Sequence, residues 1–406
     1  MKRVVITGMG IISPIGNSPE QVFESLLNND SGIKIIKGWD GIKGLNTNIA
    51  GSCGGFDEKR INRKDRRTMG SMAIMASLSA LDAIAQSGLD EKTVQSSHTG
   101  VVMGSTTGSG VSIEQVFSDF SKTKGISMLE GTAFMKIMSH SVAANVSAML
   151  KTRGRVLSPC CACATSTQAI GEGFEMIKNG YQDIMVCGGA DDLHPSTAAV
   201  FDVLHAASRN YCDTPSKTPK PFDINRDGLV VSEGAGAVIL EEYEHAKNRN
   251  AKILGEIKGY STCCDGEHMT SPQPAGMIRS MTGALKSARC TIKEIDYINA
   301  HATGTLKGDI AEAEAIQNLC GNTIHVSGTK GFTGHTLAAS GVMEVIFSIL
   351  MMNNDCIIPT LNLETIDPLC AGILHVQERI TKRVNMIMTS NFAFGGINAT
   401  LILKKI

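Results

Sequence analysis

Short apolar runs alternate with helix-period segments along the whole chain, and no other feature of the sequence restricts its fold as strongly. Val4–Ile6 reads as a strand, Met72–Ser87 as a helix and Thr99–Met103 as the next strand. After the glycine-rich Gly104–Gly110 come a strand at Arg155–Ser158, a helix from about Ala164 to Asn179 and a strand at Ile184–Cys187. A second series follows. Strands are predicted at Ala237–Leu240, Ile253–Gly259, Tyr297–Ala300 and Ile324–Ser327, with helices at Gly276–Ala288, Ile310–Leu319 and Gly341–Met352. Strands Met386–Thr389 and Ala399–Leu403 close the chain. Alternation of this kind predicts α/β layers with largely buried sheets. The series runs twice with a seam near residue 250, although identity between the halves is too weak to establish a duplication.

Composition bounds the function classes. The 406 residues suffice for two or three average domains or one duplicated fold. A net charge of −1 gives no drive toward nucleic acid or an anionic membrane. Forty-two glycines exceed the usual share of roughly 7 %, yet they lie between apolar strands, so they imply tight turns and close backbone packing. The N-terminal segment starts as a strand and lacks the apolar region of a signal peptide. Val342–Met352 is short and carries Glu344, so it reads as a core helix and not a membrane span. These features point to the cytoplasm, where the twelve cysteines stay reduced. Cys160, Cys161 and Cys163 are crowded, but separated C-x-x-C knuckles are missing, so no metal is expected. Gly8-Met9-Gly10 after the first strand invites a dinucleotide-binding interpretation. Ser13 stands where the third glycine belongs, Pro14 and Pro19 oppose the following helix, and a structural turn is the better expectation.

Three positions carry chemistry. Cys163 follows the short strand at Arg155–Leu157 and directly precedes a helix, where free backbone N–H groups and the helix dipole favour a thiolate. Those N–H groups also suit the oxyanion of an acyl intermediate. A buried cysteine packing as a small hydrophobe accounts for the same position equally well. His301 ends a strand and opens the loop Ala302-Thr303-Gly304-Thr305, and His335 closes Lys330-Gly331-Phe332-Thr333-Gly334 after another. Ligand sites of α/β folds collect at strand ends, which singles out these two from the other histidines. Asn391-Phe392-Ala393-Phe394-Gly395-Gly396 is a glycine loop with two phenylalanines, or simply a tight turn with core aromatics.

Together these segments resemble the elongating β-ketoacyl-[acyl-carrier-protein] synthases of type II fatty acid synthesis. The likeness runs nearly end to end, from Val4-Val5-Ile6-Thr7-Gly8-Met9-Gly10 to the C-terminus. It is carried by Ala162-Cys163-Ala164-Thr165-Ser166, Arg226-Asp227-Gly228 with Glu233-Gly234-Ala235-Gly236, Asn299-Ala300-His301, Lys330–Thr333 with His335, and Phe392–Gly396. The Ala-Thr-Ser after the cysteine is closer to the synthase I branch. The resemblance implies a thiolase-like fold of two similar βαβαβαββ halves in five α-β-α-β-α layers, divided as 1–250 with the cysteine and 251–406 with the histidines. It implies that Cys163 takes the acyl chain from its carrier, with its own N–H and that of Phe394 as oxyanion hole. His301 and His335 would stabilise the enolate left when the malonyl thioester loses CO2, with Lys330 as a supporting charge and Glu312 organising the site behind it. Thr270, Thr303 and Thr305 match positions that bond the phosphopantetheine arm. Phe394 matches a gate, and Phe392 lies beside it in the substrate-binding segment. No cofactor is implied beyond the carrier's phosphopantetheine. The partners implied are acyl carrier protein and a second subunit, either another copy or a chain-length-factor-like homologue. Arg63, Lys64, Arg66 and Arg67 lie where relatives dock the acidic carrier, although they also read as a solvated helix start.

Departures bear on the substrate. Ala302 adds a methyl where relatives have glycine, Leu229 replaces a phenylalanine, His205 replaces an arginine, and Pro159-Cys160-Cys161 precedes the nucleophile. None removes a catalytic group. They leave a specialised polyketide or aryl-polyene ketosynthase as the alternative to fatty acid synthesis. A non-catalytic partner subunit is disfavoured by the intact Cys-His-His set.

Overall fold

A computed structural model of the protein describes residues 2–127 and 129–406. The first half runs β1 (Val4–Ile12), α1 (Ser71–Ser87), β2 (Thr99–Gly104), α2 (Ser141–Leu150), β3 (Val156–Leu157), α3 (Thr165–Lys178), β4 (Ile184–Asp191) and β5 (Gly234–Glu242). The second half runs β6 (Gly255–Cys264), α4 (Pro274–Ala288), β7 (Tyr297–Ala300), α5 (Leu306–Cys320), β8 (His325–Gly328), α6 (Ser340–Asn353), β9 (Met386–Ala393) and β10 (Ile397–Lys404). Each half is therefore βαβαβαββ.

The strand order repeats as well. In the first half β1 pairs antiparallel with β5, β5 antiparallel with β4, and β4 and β3 flank β2 in parallel. In the second half β6 pairs antiparallel with β10, β10 antiparallel with β9, and β9 and β8 flank β7 in parallel. The two sheets join where Val4, Val5 and Ile6 face Ile257, Glu256 and Gly255. This shared order is the duplication that the letters alone were too divergent to show.

Five layers follow from how the helices pack. Helices α1 and α2 cover the outer face of the first sheet, α3 and α6 fill the middle, and α4 and α5 cover the outer face of the second. Three apolar cores separate the layers: one with Met72, Met75 and Val101, a central one with Ile170, Phe174, Ile346 and Phe347, and one with Met277, Ile298 and Ile316. Helix α6 is apolar on nearly every side because it is sandwiched between sheets. Among the described residues no helix is long and apolar enough to cross a membrane.

Two expectations are corrected. Gly8-Met9-Gly10 is not in a turn but inside the fully buried β1. A Cβ on Gly8 would lie 2.0 Å from the Ala83 carbonyl oxygen, and one on Gly10 would lie 2.0 Å from that of Ser79. The glycines let helix α1 rest directly on the strand backbone. Pro19 does not oppose a helix: it starts Pro19–Asn28 in the first turn, where no N–H is required, behind the cap Ser18. The helices Gly110–Thr123, capped by Ser109, and Pro195–Val203, with proline in its first turn, were not among the expected elements.

Gly10→Ala is expected to lower unfolding stability by about 3 kcal/mol, because the clash is with backbone that has no room to yield. Gly41→Ala, whose added Cβ meets nothing within 4 Å, is the control expected to change little. Denaturant melts of the two variants compare them directly.

Candidate active site

The repeat explains why the candidate residues meet. Cys163 lies in the single turn Ala162–Ala164 that leads into α3, and His335 lies in the loop that leads into α6. These are equivalent starts of the two middle-layer helices. His301 follows β7 at the end of a parallel strand pair. The ligand atoms of Cys163, His301 and His335 all fall within 4.8 Å of one another, and His335 Nε2 is 2.9 Å from Cys163 Sγ. The two imidazoles meet edge to face, with ring centroids 5.3 Å apart.

Each ring has its proton placed by what touches its other nitrogen. The Leu337 N–H donates to His335 Nδ1 at 3.2 Å, and Ser340 Oγ lies 3.0 Å from the same atom. His335 Nδ1 is thus an acceptor and its proton sits on Nε2, toward the sulfur. Around His301 Nδ1 stand Lys330 Nζ at 3.2 Å and Asn391 Nδ2 at 3.0 Å, both donors. Its proton also sits on Nε2. Burial lowers both imidazole pKa values well below 6.5, and the Lys330 ammonium lowers them further, so both rings are neutral at pH 7. Two neutral rings presenting N–H groups, beside a buried ammonium, form a set of hydrogen-bond donors.

Lys330 is buried and pairs with Glu344 of α6, while it also donates to the His301 carbonyl. Glu312 of α5 accepts the N–H groups of His301 and Ala302, each at 2.7 Å. Burial pushes the Glu312 carboxyl up to about 8, opposed by these two N–H donors. Glu312 clamps the His301 backbone, and the counter-ion of Lys330 is Glu344. Ala302 does adopt positive φ, at 37°. Its methyl is accommodated because residue 328 is glycine: a Cβ there would come 2.5 Å from that of Ala302.

Of the two influences weighed at Cys163, a helix start that favours the thiolate and burial that opposes it, burial is the larger and pushes the thiol up to about 12. Lys330 is the leading opposing influence, followed by the cysteine's own backbone N–H.

A cavity of about 390 Å³ opens onto this centre. Cys163, His301, His335 and Glu312 line it, as do Phe392, Phe394, Thr270, Thr303 and Thr305. The Thr303 and Thr305 hydroxyls are 3.0 Å apart. Phe394 is partly exposed and its ring centroid lies 5.8 Å from that of Phe201. Phe392 stands edge-on to His301 at 6.3 Å. Leu229 and His205, two of the departures, also line the cavity. Lys330 stands behind His301 and outside the lining. Arg63, Lys64 and Arg66 form a single helical turn followed by Arg67, and none of the four lines the cavity. Arg66 is engaged with Glu58.

Sequence reasoning missed two residues of the centre, Glu344 and Asn391. A signal existed for the first, since a carboxylate in an otherwise apolar helix demands a buried partner. Nothing local distinguished Asn391 from a turn residue.

The model of the "Beta-ketoacyl synthase, N-terminal domain" matches residues 1–246, and that of the C-terminal domain matches residues 254–364. The chain is 40 % identical over 408 aligned residues to 3-oxoacyl-[acyl-carrier-protein] synthase 1 of Haemophilus influenzae, covering 100 % of this chain and 99 % of that protein. Its structure matches a β-ketoacyl synthase from Burkholderia phymatum with a TM-score of 0.97 at 38 % identity, each chain covered over 100 % of its length. It matches the ishigamide ketosynthase/chain length factor with a TM-score of 0.93 at 29 % identity, covering 100 % of this chain and 99 % of that one. The repeated thiolase-like architecture, the two domain models and the full-length relatives agree, and the chain belongs to the β-ketoacyl synthase family.

Proposed function

We propose that the protein condenses malonyl-[acyl-carrier-protein] with an acyl group carried on Cys163, as an acyltransferase of type II fatty acid synthesis. The observation that carries this is the convergence of two Nε2–H groups and one thiol in a single cavity, with each imidazole held in the donating tautomer. Residues 1–250 and 251–406 are taken as the two working halves, each contributing the start of a middle-layer helix.

In the first step the Cys163 sulfur attacks the acyl thioester. The carrier's thiol leaves with the proton, and the acyl group becomes a Cys163 thioester. His335 Nε2–H, the Cys163 N–H and the N-terminal end of α3 oppose the burial that disfavours negative charge on sulfur. The N–H groups of Cys163 and Phe394 serve as the oxyanion hole. In the second step the malonyl thioester carbonyl accepts hydrogen bonds from His301 and His335. Its carboxylate departs as CO2, and the electron pair of the broken C–C bond forms an enolate held by those two donors. The enolate carbon attacks the Cys163 thioester, the sulfur leaves and is reprotonated from solvent, and the β-ketoacyl chain remains on the carrier. The covalent intermediate divides one difficult condensation into two acyl transfers. Lys330, paired with Glu344, is a supporting charge behind His301, and Glu312 holds that histidine's backbone.

The phosphopantetheine arm is assigned to the part of the cavity lined by Thr270, Thr303 and Thr305, with Phe394 as the gate and Phe392 beside it. Arg63, Lys64, Arg66 and Arg67 are proposed to meet the acidic carrier. The two-residue edge strand β3 exposes Val156 and Leu157, and helix Gly110–Thr123 exposes Phe117 and Phe120. Both features support a second copy as partner, and the cytoplasm is the proposed compartment. A second reading, an unsaturated or aryl acyl chain elongated beside a chain-length-factor-like partner, is favoured by Leu229. It leaves more room at the cavity wall than the phenylalanine of relatives.

Cys163→Ala is expected to abolish both the acyl adduct and condensation, as read by intact mass and product formation. His335→Ala should lower malonyl decarboxylation by about 100- to 1,000-fold, the effect of removing one oxyanion donor, while Cys163 still accepts acyl groups. Unchanged decarboxylation removes His335 from that role. Phe394→Ala should change acyl-chain selectivity in a competition between saturated and polyunsaturated acyl carriers. Wild-type selectivity would rule out the gate.

A further inference from the structure

The side chain of Asn391 has no assigned part in the reaction, yet it is fully buried against the least exposed part of the catalytic centre. It belongs to β9 and makes three polar contacts. Its Oδ1 accepts from Thr167 Oγ1 of α3, and its Nδ2 donates to Glu344 Oε2 at 2.8 Å and to His301 Nδ1 at 3.0 Å. Glu344 settles which end of the amide is which, because a carboxylate only accepts. The NH2 group must therefore face Glu344, and it then also faces His301.

His301 Nδ1 has one in-plane lone pair and two donors near it. Lys330 Nζ is the more distant, and its three hydrogens are divided among the Glu344 carboxylate, the His301 carbonyl and Nδ1. Asn391 is the nearer donor, and its two hydrogens have only two acceptors to serve. It also carries no charge, so it fixes the ring without adding to the positive potential that keeps the imidazole neutral.

We propose that Asn391 is a positioning residue that sets the Nε2–H tautomer of His301, so that this histidine meets the substrate as a donor. The link to decarboxylation rests on the role proposed above for His301, whereas the tautomer assignment does not. Thr167 Oγ1 donates to the amide oxygen and so helps to keep the NH2 group turned toward Glu344 and His301.

The test uses full-length protein with 15N-labelled histidine, comparing wild type with Asn391→Asp and Asn391→Leu. The first replaces the donor with an acceptor and the second removes it at similar size. Nitrogen chemical shifts report which ring nitrogen of His301 is protonated, and a merely structural residue would leave that pattern intact. Asn391→Asp should move the proton to Nδ1 and lower malonyl decarboxylation by about 100-fold, with acyl transfer to Cys163 changed by less than about threefold. If that variant fails to fold, Asn391→Leu decides, since it should show a mixed tautomer and a slower decarboxylation. A wild-type Nε2–H signature in the folded variants overturns the proposal. A displaced proton with undiminished decarboxylation upholds the role of Asn391 and instead contradicts that given to His301.

Discussion

The buried pair between Lys330 and Glu344 is the contact on which the catalytic arrangement depends. Withdrawing two such charges from water is unfavourable, and attraction between them offsets this only when further hydrogen bonds satisfy the remaining donors and acceptors. Here the His301 carbonyl, His301 Nδ1 and the Asn391 amide complete the set. Lys330 comes from the turn after β8, Glu344 from α6, His301 from the end of β7 and Asn391 from β9. Four separate elements are thereby held to one geometry, and a buried ion pair of little net stabilising value acts as a positioning device.

The duplicated fold makes such a convergence available. Both middle-layer helices begin at the same depth of the molecule, one behind Cys163 and the other behind His335. The third member, His301, uses the strand end that β2 offers in the other half as the glycine-rich segment from Gly104. Asymmetric side chains placed on symmetric backbone positions supply a nucleophile from one half and two hydrogen-bond donors from the other. Dry surroundings strengthen each of those donors. They also raise the thiol, an influence opposed by the Lys330 ammonium and the cysteine's own N–H.

Much of this was legible in the letters. Strand–helix alternation gave the layer type, and Tyr297–Ala300 matched its strand end to end, because apolar character, β-branching and a following loop of small residues coincide there. Element lengths were less legible. β1 continues to Ile12 through two glycines that look like turn formers, and only the approach of α1 shows why they are strand residues. Cys163 and the two histidines stood out by their places at helix starts and strand ends. Glu344 and Asn391 did not, since their importance comes from contacts between elements far apart in sequence. The positive φ at Ala302 is tolerated because of Gly328 on β8, a contact that no local pattern reveals. The sequence left two environments open for the thiol, because helix position is visible in a sequence and depth of burial is not.

The central claim is that one thiol and two donating imidazoles perform acyl transfer and decarboxylative condensation in succession. Intact-mass spectrometry of the wild-type protein after incubation with acyl carrier proteins, followed by a malonyl-carrier chase, tests it most directly. The expected result is an acyl adduct on Cys163 that the chase removes, with release of a β-ketoacyl chain two carbons longer on the carrier. An adduct that persists through the chase, or that maps to another residue, would contradict the claim.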